Sequence, residues 1–573
     1  MPPLPKRWKI ADPIPPEAER TLGEYAPILR QILYNREYRS PEAARQYLEA
    51  RVPAGTDPLN MKGIEEAVDR IEYAIRKHEP IAVYGDYDVD GVTATSLLVQ
   101  SLGSLGAEAS GYIPNRFEEG YGLNKEALET LSAGGIRLVI TVDCGIRSLE
   151  EAEHAGGLGL DLIVSDHHEP HKELPEAVAL INPKQPGDVY PEKELAGVGL
   201  AYKLVTALLA SCEERGYPFQ SGVKADDVLD LVALGTVADL APLTGENRAL
   251  VRSGLKAIRN PRRQGLMSLI GVSGLRADQV TSTHIGFALG PRLNAAGRLD
   301  SALAAYQLLT TQDIFEAGRI AQILDGQNRE RQKITRDIQA HAEQLALADD
   351  PDALLLFAAH PDYNPGVVGL AASRLTDLYY RPAIVAQKGE EFTRGSCRSI
   401  PEFHITEALD QCSDLLEHHG GHAAAAGFTV HNDNLPALVQ QLQEIARQQL
   451  AALDLRPIIS ADAEIPLAEL KPGLLEILEL LQPTGYKNRR AVFASRDVKV
   501  RSFRAVGRDG SHLKLAVTDG WITFDAIAFR QGHWADQMPE RIDLMYTFEQ
   551  NEFNGRTSLQ LNVQDLRPAG TPD

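Results

Sequence analysis

The sequence predicts an α/β protein in several parts: a doubly wound parallel sheet, a long connecting helix, a second α/β domain and a C-terminal OB-like β-barrel. Three observations predict this. Between residues 80 and 240, short apolar runs alternate with helical patterns, as parallel strands with crossover helices require. From 313 to about 348 a helical pattern runs without proline and is polar in its middle, Gln327-Asn-Arg-Glu-Arg-Gln-Lys333, as a helix bridging two domains would be. After 459 the pattern changes to alternating strands joined by Asp519-Gly520 and Asn554-Gly555, both hairpin-turn dipeptides.

In chain order, residues 1–75 read as helical, with Ser40-Pro41-Glu42 as a helix start. Ile81-Ala-Val-Tyr84 reads as a buried strand, and a helix begins at Val92. Between them stand Asp86, Asp88 and Asp90, two apart. In an extended segment that spacing projects all three to one side, at the carboxyl end of a strand, where open α/β sheets bind ligands. Three like charges so close call for a cation, and hard oxygen ligands suit Mg²⁺ or Mn²⁺. The run also matches the first half of an EF-hand. That motif needs a glutamate at loop position twelve, here Leu97, and a helix rather than a strand in front.

The pattern repeats. The strand Leu138-Val-Ile-Thr-Val142 stops at Asp143-Cys-Gly145, and Leu162-Ile-Val-Ser165 stops at Asp166-His167-His168. A further strand, Ala179-Leu-Ile181, ends at Asn182-Pro183, and Asp239 closes an apolar helix just before Pro242. One capping aspartate is ordinary, but acids and imidazoles at three strand ends converge on one rim of the sheet. Such a set suits two metals about 3.5–4 Å apart. In it Asp143 can bridge, His167 can ligate, and His168 can hydrogen-bond a phosphoryl oxygen or leaving group.

Composition sets limits on this. At 573 residues the chain has room for about three to four domains. It contains 43% hydrophobic and 24% charged residues, and no apolar run approaches the roughly 18 residues of a membrane span. Four scattered cysteines without a CxxC pair suit a reducing, cytoplasmic setting and argue against structural zinc. The net charge of −21 argues against a general polyanion-binding surface, so any nucleic-acid contact must be local or metal-bridged.

Asp86-Tyr-Asp-Val-Asp-Gly91, Asp143-Cys-Gly, Asp166-His167-His168 and Ala238-Asp239 stand in the order of the DHH phosphoesterases. From about residue 60 onward the chain resembles the RecJ family of bacterial single-strand-specific 5′→3′ exonucleases. The resemblance implies two divalent cations, Mn²⁺ or Mg²⁺, a bridging hydroxide and phosphodiester hydrolysis to 5′-mononucleotides in DNA repair and recombination. It implies Asp86, Asp88, Asp90, Asp143, His167 and Asp239 as metal ligands, with Asp90, Asp166 and His168 in catalysis. Some relatives carry histidine where this chain has Tyr84, which leaves Asp86 or Tyr84 to complete the first metal shell. The implied division is a helical extension over 1–75, a DHH catalytic domain over 76–312 and an interdomain helix over 313–349. A DHHA1 domain over 350–455 and an OB-fold over 456–573 complete it.

Further segments suit a nucleic-acid strand. Arg116, Phe117 and Tyr121 suit a phosphate clamp with base stacking, or an ordinary glycine-containing loop. Arg292, Asn294 and Arg298 lie among small residues that allow close approach of a phosphate, or mark an internal helix start. Ser396, Arg398 and the expected turn Gly420-Gly421-His422 are candidates for gripping a terminal phosphate, since the glycines suit cradling of an anion. Residues 486–508 hold Lys487, Arg489, Arg490, Arg496, Lys499, Arg501, Arg504 and Arg508 against Asp497, a local +7, with Phe493 and Phe503 interleaved. They read as a strand-tracking groove. The expected partner is single-stranded DNA, admitted through an entrance between the two α/β domains too narrow for a duplex. A single-strand DNA-binding protein and a RecQ-type helicase follow by resemblance, with a monomeric state and no membrane. The rival readings are a phosphoesterase of small substrates (oligoribonucleotides, cyclic dinucleotides or pyrophosphate) and a non-catalytic DNA-binding scaffold.

Overall fold

A computed structural model describes residues 4–116, 118–120, 122–216, 224–348, 350–553 and 556–572. The chain divides into two compact units that are not contiguous in sequence. One comprises Arg45–Arg331 with Leu481–Arg489, and the other Met1–Ala44, Gln332–Leu480 and Arg490–Asp573.

The first unit is built on a five-stranded parallel sheet. Its spatial order is Ala109–Tyr112, Ile81–Tyr84, Leu138–Val142, Asp161–Ser165 and Ala179–Ile181. Every residue of Ile81–Tyr84 and Leu138–Val142 is buried, as strands covered on both faces must be. The chain order reverses beside Ile81–Tyr84, so the carboxyl ends of these two central strands flank the point where doubly wound sheets bind ligands. The helix Val89–Ser104 is buried along most of its length, between Gly197–Glu214 and Leu229–Ala238. Three of its buried hydroxyls are satisfied within the helix: those of Thr93, Thr95 and Ser96 donate to the carbonyls of Val89, Gly91 and Val92. Gly91 is needed for contact, because a Cβ there would lie 2.5 Å from the Asp86 nitrogen.

Arg248 ties residues 481–489 into this unit. It is 1% exposed and donates to the carbonyls of Tyr47 (2.9 Å), Leu481 (3.0 Å), Gln482 (2.8 Å) and Pro483 (3.0 Å). Its guanidinium stacks 4.2 Å from the Tyr47 ring centroid, and the Tyr47 hydroxyl donates to Asn488 Oδ1.

The second unit holds two sheets of different kinds. The first is mixed, in the order Leu416–His422, Ala425–His431, Phe392–Arg398, Ala383–Lys388 and Leu356–His360, with only the last pair parallel. The second closes on itself as a five-stranded barrel: Phe493–Val506, His512–Thr518, Thr523–Ala528, Arg556–Pro568 and Arg541–Phe553, which pairs back to the first. The Asp519-Gly520 turn lies between its second and third strands, whereas Asn554-Gly555 falls outside the described residues. Residues 314–347 form one 34-residue helix, Ile314–Leu347, and the division between the units falls inside it.

The N-terminal stretch departs from the all-helical expectation. Arg7–Ile10 is a strand, paired in parallel with Ile458–Ala461, a partner that local periodicity does not reveal. Trp8 Nε1 donates to Asp565 Oδ2 at 2.7 Å, and the Arg567 guanidinium lies 4.0 Å over its ring. Residues 1–44 therefore pack with the C-terminal barrel region, and Ile64–Lys77 packs with the parallel sheet, so the expected five consecutive segments do not coincide with the compact units. Among the described residues no helix is long and apolar enough to cross a membrane.

Removing the Arg248 side chain takes away four hydrogen bonds in a dry site, three of them to carbonyls that Asn488 or the Ala50 amide also serves, so Arg248→Ala should lower unfolding free energy by about 3 kcal/mol. Urea denaturation checks this, and limited proteolysis should show new cleavage in 481–489. An unchanged midpoint would mean that the segment is held by other contacts.

Candidate metal centre

The site begins at the end of Ile81–Tyr84. Asp88 caps the helix Val89–Ser104, its Oδ1 accepting from the amides of Asp90 (2.8 Å) and Gly91 (3.2 Å). Asp90 therefore lies in the first helical turn, and the three acids do not share the extended segment that their spacing suggested. Asp90 is wholly buried, and its two oxygens accept from the amides of Gly197 (2.7 Å) and Val198 (2.8 Å). Those amides open the helix Gly197–Glu214, so the carboxylate sits at the positive end of a second helix dipole.

Asp143 follows Leu138–Val142 in the left-handed region, at φ +62°, with its amide donating to Ser165 O. That conformation is uncommon for a residue with a Cβ and turns the side chain toward Gly197, where a Cβ would lie 2.8 Å from that of Asp143. His167 Nε2 stands 3.0 Å from Asp143 Oδ1 and 3.9 Å from Asp90 Oδ2. Asp239 ends the helix Leu229–Ala238 as its C-cap.

Ligand-type atoms of Asp86, Asp88 and Asp143 lie within 4.8 Å of one another, as do those of Asp90, His167 and Asp239, and those of Asp143, His167 and His168. Asp143 thus adjoins both acidic triads. Asp166 belongs to none of these groups. It accepts from the Ile146 amide and from His168 Nδ1 at 2.7 Å, so it orients His168 instead of facing a cation. Tyr84 is also outside them, its hydroxyl donating to Gly122 O and accepting from Asn124.

The electrostatics of the site call for positive charge. Burial, then the neighbouring carboxylates, pushes Asp90 up to about 7 and Asp239 up to about 9, and holds Asp86 and Asp143 well above the usual carboxylate range. Burial, then His168, pushes His167 down to about 3, leaving a neutral imidazole with a lone pair to offer. Asp86 Oδ1 and His167 Nε2 are buried without a hydrogen-bond partner. Oxygen-rich, mutually repelling donors with orphaned lone pairs fit hard divalent cations. The His168–Asp166 pair behaves oppositely. Burial opposes the charged forms, but their hydrogen bond raises His168 and lowers Asp166, so they form an ion pair.

The expected strand contacts fare unevenly. The Arg116 guanidinium lies 5.0 Å from the Tyr87 ring centroid, and the charges of Arg116 and Arg298 both act on Tyr87, at the acidic loop. Phe117 and Tyr121 fall outside the described residues. Asn294 Oδ1 accepts from the Val89 amide at 3.1 Å and so supports the acidic turn, a role that a phosphate-binding reading missed. Arg292 is engaged by Asp325 Oδ1 (2.9 Å) and the Ala288 carbonyl.

In the second unit Ser396 and Arg398 lie on Phe392–Arg398, 3.3 Å apart, beside the start of the helix Val368–Tyr379. Gly420, Gly421 and His422 are in the strand Leu416–His422 and not in a turn, because they pair with Gly427, Ala426 and Ala425 across a hairpin. The +7 stretch is neither continuous nor all free. Lys487 and Arg489 belong to the unit with the parallel sheet. Arg496 pairs with Glu464 and Asp543, Arg490 with Glu549, and Lys499 with Glu540. Phe493 is buried against Tyr546. Arg501, Arg504 and Arg508 are exposed beside a half-exposed Phe503. Cross-strand acids, distant in sequence, are what a charge count along the chain omits.

Family models match three stretches: the DHH family N-terminal domain at residues 80–236, the DHHA1 domain at 352–448 and the RecJ OB domain at 461–565. The single-stranded-DNA-specific exonuclease RecJ of Bacillus subtilis (strain 168) is 38% identical over 98% of this chain and 70% of its own length. That of Escherichia coli (strain K12) is 36% identical over 95% and 96%. The crystal structure of RecJ with Mn²⁺ from Thermus thermophilus superimposes with a TM-score of 0.84 at 30% identity, over 99% of this chain and 80% of that one. The same protein has also been solved with Mg²⁺ (TM-score 0.78, 28% identity, 99% and 79%). The chain belongs to the RecJ family of single-stranded-DNA-specific exonucleases.

Proposed function

We propose that this chain hydrolyses single-stranded DNA from the 5′ end to 5′-mononucleotides, using two divalent cations held by Asp86, Asp88, Asp90, Asp143, His167 and Asp239. The observation that carries it is the pair of acidic triads adjoining Asp143 at the carboxyl edge of the parallel sheet. Mn²⁺ or Mg²⁺, when bound, would supply an activated water and offset charge on the phosphoryl oxygens.

The chain's own groups do the rest. Asp90, anchored on the Gly197 and Val198 amides, fixes the orientation of its carboxylate before any substrate arrives. His168, charged and held at Nδ1 by Asp166, can donate from its other nitrogen to a phosphoryl oxygen or to the leaving oxygen. Arg116 and Arg298, beside the 86–88 loop, suit the 5′ phosphate, and Ser396 with Arg398 suits a second phosphate. Arg501, Arg504 and Arg508 with Phe503 suit a strand lying along the barrel.

In the same reading, residues 76–312 are the catalytic domain and 456–573 the strand-binding domain. The protein acts in DNA repair and recombination as a cytoplasmic monomer, alongside a single-strand DNA-binding protein and a RecQ-type helicase. Four buried, free cysteines are consistent with a reducing compartment.

With Mn²⁺ present, a 5′-labelled single strand should release labelled mononucleotide at once, while a 3′-labelled strand shortens gradually. Asp143→Asn should reduce the rate by about 10³-fold with the melting temperature preserved. Release of mononucleotide from the 3′ label first would overturn the polarity, and full activity of Asp143→Asn would overturn the site.

A second test uses pH. The folded, metal-free carboxyls titrate above their unfolded values, so between pH 6.5 and 8.5 the folded chain binds more protons than the unfolded one, and stability falls as pH rises. His168, also raised, acts in the same direction, and the opposing effect of His167 is small above pH 6.5, where the unfolded imidazole is already half deprotonated and the folded one fully so. Chelator-treated protein should therefore melt lower at pH 8.5 than at 6.5. Added Mn²⁺, which displaces those protons, should raise the melting temperature more at pH 8.5. Equal Mn²⁺ shifts at both values would contradict the assignment.

A further inference from the structure

The stretch that follows Asp239 is bordered by exposed apolar side chains with no part in the chemistry described above. Leu240, at φ +62°, is 67% exposed, Phe287 is 85% exposed and Tyr486 is 54% exposed. A single exposed apolar residue needs no explanation. These three, however, are all anchored on residues 237–243.

Phe287 belongs to the π-helical turn Ile285–Leu289, a rare geometry often found at functional sites. A Cβ on the preceding Gly286 would lie 4.0 Å from Val237 Cγ1, and one on Gly290 would lie 3.4 Å from the Cβ of Ala238, the neighbour of Asp239. Tyr486 is held on the same stretch: its carbonyl accepts from the Leu243 amide at 2.9 Å. Ser282 Oγ, just before the π-helical turn, donates to Thr484 O at 2.6 Å and ties the two supports together. Lys487, exposed and at φ +54°, places Nζ 5.9 Å from the Tyr486 ring centroid. The backbone beneath is rigid, since Arg248 and Asn488 between them bond the carbonyls of 481–483.

Aromatic faces with a cation beside them, on a stiff support next to a phosphodiester-cleaving centre, match what single strands need. Every base has a face to stack, and the cation answers the intervening phosphate. We propose that Phe287 and Tyr486, with Lys487, form a stacking platform for the nucleobases that adjoin the scissile phosphate. Residues 481–489 then serve the catalytic unit and not the barrel. This rests on the exonuclease reading and adds the residues that position the strand.

The test uses 5′-labelled oligonucleotides carrying one abasic residue at successive positions from the 5′ end, with Mn²⁺ and with full-length wild type, Phe287→Ala, Phe287→Trp and Tyr486→Ala. On the unmodified strand Phe287→Ala should raise KM about tenfold, and Phe287→Trp should restore it. An abasic residue at the contacted position should cost the wild type about tenfold in kcat/KM and cost Phe287→Ala nothing further, while other positions behave alike in both. Identical abasic profiles in wild type, Phe287→Ala and Tyr486→Ala would overturn the platform and leave the exonuclease reading intact. A wild type that leaves the unmodified strand undegraded would overturn both.

Discussion

The structure of the site depends on one contact, the buried Asp90 carboxylate resting on the amides that open Gly197–Glu214. A carboxylate taken out of water is costly unless hydrogen bonds and positive potential replace its hydration. Two amides and a helix dipole do this for Asp90. The contact also locks the helix Val89–Ser104 against Gly197–Glu214, so the acidic turn has a single orientation. Gly197 and Gly91 permit it, since side chains at either would collide with Asp143 or with the Asp86 backbone.

Around Asp90 the remaining acids are arranged so that their repulsion is relieved by cations or, without them, by protons. Burial and mutual charge raise Asp86, Asp143 and Asp239, and the neutral His167 offers a lone pair. Such an arrangement is unfavourable to the fold by itself and favourable to a metal-dependent reaction, a familiar exchange of stability for function. Asp166 and His168 follow a different logic within the same few residues. By pairing, they keep one protonated imidazole beside a cluster of acids.

The compact units are not separated by any single point along the chain. Arg248 binds 481–483 into the catalytic unit, and Trp8 binds Asp565 across nearly the whole sequence. A truncation at 455 would remove the partner strand of Arg7–Ile10 together with a segment on which the parallel-sheet unit relies. The C-terminal region is thus covalently late but structurally divided.

The sequence by itself determined the strands Ile81–Tyr84, Leu138–Val142 and Ala179–Ile181, the long helix, and the placing of Asp86, Asp88, Asp90, Asp143, His167 and Asp239 at ends of elements. These follow from local periodicity and from residues that stop an apolar run, both written in neighbouring positions. Only the tertiary structure decided what those groups touch. Asp90 turned out to lie in a helix, Asn294 to serve the Val89 amide, Arg292 to serve Asp325, and Arg496 to serve acids on other strands. Each partner lies about thirty to two hundred residues away or owes its place to a helix start that capping by Asp88 moved forward. Local pattern specifies which backbone forms, whereas long-range packing specifies which charge meets which.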